Sequence, residues 1–77
     1  RELALIKVQA NEKTRAEITQ IVDIFKARIV DVADDSVIIE ISAEKEKVES
    51  LQKMLEKFGI KELVRTGKIA LQKGSAA

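Results

Sequence analysis

Seventy-seven residues, 14 basic and 13 acidic with no histidine and no cysteine, make a small chain of near-zero charge. Disulfide staples and Cys/His zinc sites are excluded, and a domain this size buries only about 60% of its unfolded surface, so oligomerisation or docking on a partner is the expected support. Balanced charge and only two aromatics, Phe25 and Phe58, argue against a nucleic-acid surface; no apolar run approaches the roughly 20 residues of a membrane span, and no signal-peptide pattern appears.

Residues 2–10 alternate, with Ala4, Ile6 and Val8 on one face and Leu3, Leu5, Lys7 and Gln9 on the other, which predicts a strand. It starts almost at Arg1, as expected of a segment cut from something longer. Asn11-Glu12-Lys13 reads as a polar connector. Thr14, with Glu17 three residues later, predicts a capping box in which the hydroxyl and the carboxylate satisfy each other's backbone N–H. Ile18, Ile21, Val22 and Phe25 then recur at helical spacing, which predicts a helix to about Ala27.

The period changes at Arg28, and the β-branched run to Ala33 predicts a second strand. Asp34-Asp35-Ser36 supplies turn chemistry for a hairpin. The third strand, Val37 to Ser42, sets Val37, Ile39 and Ile41 on one side and Ile38, Glu40 and Ser42 on the other. Ser42 is the expected N-cap of a second helix, Ala43 to about Phe58, with an apolar stripe of Val48, Leu51, Leu55 and Phe58 flanked by Met54. Gly59 is the expected left-handed stop. A last extended stretch runs from Ile60 to about Lys73, broken near Gly67. This divides the chain into one domain, 1–73, and a flexible tail, 74–77.

The order β-α-β-β-α-β with short connections leaves one favoured arrangement, an α+β ferredoxin-like βαββαβ sandwich. It is a four-stranded antiparallel sheet, first and third strands central, with both helices on one face. The second face then has no helix over it. Leu3, Leu5 and Ile38 fall on that bare face, a candidate surface for a second copy or another domain.

Site chemistry is sparse. Without His or Cys, a nucleophile–base pair has only Ser, Thr, Lys, Asp and Glu to draw on. Asp34-Asp35 lacks the following oxygen ligands of a cation loop and reads as a turn. Gly59, Gly67 and Gly74 make no phosphate-cradling loop. Glu44-Lys45-Glu46-Lys47 is a solvated helix face. No catalytic, metal or cofactor-binding residue is assigned, and an enzyme is not expected. Asp23 and Asp31 interrupt apolar stretches and are expected to pair with Arg15, Arg28 or Arg65. Arg65-Thr66-Gly67, inside a strand-like run, has two readings: a bulge that re-aims the edge, or a ligand or partner contact at the Arg and Thr.

Three segments, R-E-L-A-L-I-K-V (residues 1–8), T-R-A-E-I-T-Q-I-V-D-I-F-K-A-R-I-V-D-V (14–32) and F-G-I-K-E-L-V-R-T-G-K-I-A-L (58–71), together resemble the C-terminal domain of the small, regulatory subunit of acetolactate synthase (acetohydroxyacid synthase). The resemblance implies an ACT-like, non-catalytic partner of a thiamine-diphosphate enzyme in branched-chain amino-acid synthesis, itself without a cofactor. It implies a homodimer that contacts the catalytic large subunit, in the cytoplasm, or in a plastid if from a plant. The family's valine site belongs to an N-terminal ACT domain outside these residues, so no valine-binding residue is carried over. The alternative is a stand-alone amino-acid sensor that binds an effector at a dimer interface, with Arg65 and Thr66 holding a carboxylate.

Overall fold

The computed structural model describes residues 1–68. The predicted extension of the last strand to Lys73 and the tail at 74–77 lie outside the described residues. Four strands and two helices follow in the predicted order: β1 (Glu2–Gln9), α1 (Glu12–Ile24), β2 (Arg28–Val32), β3 (Ser36–Ala43), α2 (Lys45–Leu55), a 3-10 turn (Glu56–Phe58) and β4 (Ile60–Lys68). The sheet is antiparallel with strand order β2-β3-β1-β4, so the first and third strands are central as expected.

The first helix begins earlier than predicted, and a different pair of residues caps it. Asn11 is the N-cap: its Oδ1 accepts from the N–H groups of Lys13 (2.9 Å) and Thr14 (3.0 Å). Thr14 Oγ1 accepts from the N–H of Asn11 at 3.0 Å, which closes a capping box three residues upstream of the expected Thr14–Glu17 box. Glu17 is thereby released to pair with Lys57 across the helices. The helix also ends before Ala27. Phe25 is the C-cap, and Lys26 turns left-handed at φ 55°. Lys26 N–H donates to Asp23 O at 3.1 Å and Ala27 N–H to Val22 O at 3.0 Å, the two bonds of a Schellman motif that swings the chain into β2.

Ser42 does not cap the second helix. Pairing between β1 and β3 continues to Glu2↔Ala43 and holds Ser42 extended opposite Leu3. Glu44 takes the N-cap position without a side-chain bond to the backbone. At the other end Gly59 has φ 98°, and its carbonyl accepts from Gln9 N–H at 2.8 Å. The predicted stop is present, and it ties the end of the 3-10 turn to the end of β1.

Alternation and helical spacing converge on one core between sheet and helices. Ala4, Ile6, Val8, Val37, Ile39 and Ile41 from the sheet meet Ile18, Ile21, Val22, Val48, Leu51 and Leu55 from the helices, all buried. Each Val, Leu or Ile side chain among them contributes about 1.5–3 kcal/mol by leaving water. Phe25, Ile29, Phe58 and Ile60 pack at the margin, and Met54 is exposed.

Candidate functional site: the uncovered sheet face

Side chains alternate across a sheet, so the residues between the buried ones are forced to the face without helices. The register sets Leu3 opposite Ser42, Leu5 opposite Glu40 and Lys7 opposite Ile38 on β3. On the other side Leu5 meets Val64 and Lys7 meets Glu62 of β4. Leu5, Lys7, Ile38, Glu62 and Val64 line a shallow depression of about 160 Å³. Leu5 is 37% exposed and Val64 59%, while Leu3 and Ile38 are half-buried by their neighbours. Leu3, Leu5 and Ile38 thus share this face. Val64 joins them, a residue that the sequence reading did not single out.

Charge on this face is mixed and locally paired. Lys7 Nζ lies 3.7 Å from Glu62 Oε2. Arg28 Nε donates to Glu40 Oε1 at 2.8 Å. With Asp31 opposite Ile38 on the same face, two cations and three carboxylates frame the aliphatic patch, a poor surface for a polyanion, which selects clustered positive charge.

The Arg65-Thr66-Gly67 segment sits at the outer edge of the same sheet. Between Glu2↔Lys68 and Ala4↔Arg65, β4 carries one extra residue, so a bulge is present. Gly67 at φ 70° supplies the backbone that the bulge needs. Thr66 repairs the broken ladder: its Oγ1 accepts from Leu3 N–H at 3.0 Å and lies 3.1 Å from both Leu3 O and Gly67 O, to either of which it donates. Arg65 points to the covered side. Its Nε and Nη2 each donate to one oxygen of Glu2 at 2.9 Å, Nη1 reaches Gln52 Oε1 at 3.4 Å, and Glu49 lies 3.7 Å away. The guanidinium fork holds the buried Glu2 carboxyl below its ordinary value, against the desolvation that would raise it, and Glu2 in turn raises the pKa of Arg65.

The expected pairing of Asp23 and Asp31 is not what the arginines do. Arg15 Nη2 donates to the carbonyls of Ala33 (3.0 Å) and Asp34 (3.2 Å) and braces the β2–β3 turn. Arg28 takes Glu40, its direct cross-strand partner, and Arg65 takes Glu2, two residues along β1 from Ala4, which is the residue opposite Arg65. Among the described residues Asp23 and Asp31 form no ion pair, whereas Asp35, in the turn, meets Lys61 at 3.3 Å. Among these residues no helix is long and apolar enough to cross a membrane.

A four-stranded antiparallel sheet in the order β2-β3-β1-β4, carrying both helices on one face, defines a small ferredoxin-like, ACT-like α+β domain. The family model described as the small subunit of acetolactate synthase matches residues 1–74, and the chain belongs to that family. A probable acetolactate synthase small subunit of Archaeoglobus fulgidus is 48% identical over 75 residues, which cover 97% of this chain and 47% of that protein. The chloroplastic acetolactate synthase small subunit 1 of Nicotiana plumbaginifolia is 51% identical over 73 residues, covering 95% of this chain and 16% of that protein. A crystal structure of the acetolactate synthase small subunit from Thermotoga maritima superposes with a TM-score of 0.77 at 42% identity, over 86% of this chain and 40% of that one. The chain spans less than half the length of each of these relatives.

Proposed function

We propose that this domain is part of the non-catalytic regulatory subunit of acetolactate synthase. It supports self-association of that subunit and the activation and feedback regulation of the catalytic subunit in branched-chain amino-acid synthesis. The observation that carries this reading is the small-subunit family match across residues 1–74. The uncovered apolar face gives the role a physical means, since regulation of this kind is a coupling free energy of about 1–3 kcal/mol transmitted through protein contacts.

Self-association through the face, as a homodimer, is favoured over pairing of sheet edges. Both edge strands carry bulges, at Val30 in β2 and at Lys61 and Gly67 in β4. A bulge twists an edge away and interrupts the row of free N–H and C=O groups that another strand needs. The site of action is the cytoplasm, or the plastid in a plant.

An amino-acid sensing role at Arg65-Thr66-Gly67 meets an obstacle, because Arg65 already holds Glu2 with two hydrogen bonds that an effector carboxylate would have to displace. The deciding experiment mixes this chain with the catalytic large subunit and measures complex formation and the rate of acetolactate synthesis. A complex with a changed rate is expected; the absence of both binding and a rate effect would overturn the proposal. Titration calorimetry of this chain alone with valine, leucine or isoleucine is expected to give no heat, and binding heat would instead favour the sensor.

A further inference from the structure

We infer that the copy which covers this face is related by a two-fold axis lying in the interface along the Leu5–Ile38 diagonal, so that Lys7 of each copy meets Glu40 of the other. The inference rests on the self-association proposed above. Its ground is the arrangement of four residues at the centre of the face. Leu5 is paired with Glu40 and Lys7 with Ile38, so the four form a rectangle, one side along β1 and the opposite side along β3. Strand spacing makes it about 4.8 Å across and two residues of rise make it about 6.8 Å long. The two aliphatic residues occupy one pair of opposite corners, and the two opposite charges occupy the other.

For two sheets face to face, a two-fold axis in the plane between them acts on the face, in projection, as reflection through the axis line. Reflection through the Leu5–Ile38 diagonal returns Leu5 onto Leu5 and Ile38 onto Ile38 of the other copy, and it brings Lys7 to within about 3 Å of Glu40 in projection. An axis along the strands or across them would instead set aliphatic residues against charges, Leu5 on Glu40 or on Lys7. Of these three axes only the diagonal satisfies both kinds of residue. Strands of the two copies then cross at about 70°, nearer the orthogonal than the aligned class of sheet packing.

The charged groups have capacity to spare. Lys7 sits 3.7 Å from Glu62, too long for a hydrogen bond, and Glu40 meets Arg28 through Oε1, with Oε2 left to accept from across the interface. Their side chains are 36% and 29% exposed, so a covering copy would remove much of the remaining water from both. A contact between Lys7 and Glu40 across a two-fold axis occurs twice, once in each half of the interface.

Sedimentation equilibrium on this chain and four variants, with thermal melts to check folding, tests the arrangement. K7E and E40K are each expected to weaken the dimer about tenfold or more, and K7E/E40K to restore it to within about threefold of the parent, as a double-mutant cycle across a direct pair requires. K7E/E62K, which rebuilds only the contact within one chain, is expected to stay weak. A parent dimer with no loss in the single variants, no recovery in K7E/E40K, or recovery in K7E/E62K overturns this arrangement and leaves self-association standing. A parent that stays monomeric at high micromolar concentration removes both.

Discussion

Glu2 is 5% exposed at the margin of the sheet, a burial that a lone carboxylate would not tolerate. Both of its oxygens accept from Arg65, which fixes where β4 lies against β1 and, through Gln52 and Glu49, against α2. Since the folded state holds the Glu2 pKa below its ordinary 4.5, the pair's stabilisation is fully present above that value and is lost as pH falls through the lower, folded value. Glu2→Gln cannot titrate. The parent is therefore expected to melt higher than Glu2→Gln at pH 7, and the gap should close as the pH drops below the carboxylate range. Melting curves at stepped pH read this directly; a gap that is constant or widens on acidification would contradict the role given to the pair.

Among the elements, α1 offers the sharpest contrast. Asn11/Thr14 and Thr14/Glu17 are both capping residues at the same three-residue spacing, and the structure uses the first pair. Asn11→Ala should therefore cost about 1 kcal/mol of stability in denaturant unfolding, while Glu17→Gln should cost only the exposed contact with Lys57, within about 0.5 kcal/mol. Equal losses would return the cap to Thr14. The number, order and inward faces of the strands and helices were legible, because alternation in residues 2–10 and 37–42 and the helical stripe from Ile18 to Phe25 each have one apolar side. Features set by pairing were not. Ser42 has the chemistry of a cap, but the ladder to Leu3 keeps it extended. Val64 escaped because strict alternation from the partly buried Ile60 would turn it toward the helices. One extra residue at Lys61 shifts the parity, sending Glu62 and Val64 to the open face and Leu63 and Arg65 to the covered one. The bulge at Gly67 was readable, since glycine inside a strand-like run marks one. The arginine partners were not, since they depend on which carboxylate lies across the ladder.

At the scale of the whole molecule, one sheet face is clad by helices, and the other, built on Leu3, Leu5, Ile38 and Val64, is the one we propose a second copy covers. A domain of 77 residues without disulfides has a total stability of only about 4–12 kcal/mol, so covering that face matters to folding as well as to regulation. Sedimentation equilibrium of the parent and of Leu5→Lys is the most direct test. Leu5 touches no core residue's side of the sheet, so the substitution should leave the circular dichroism spectrum of the fold intact while placing a charge at the centre of the patch. A parent dimer at micromolar concentration and a folded, monomeric Leu5→Lys are the predicted results; a folded Leu5→Lys that associates as tightly as the parent would contradict the account.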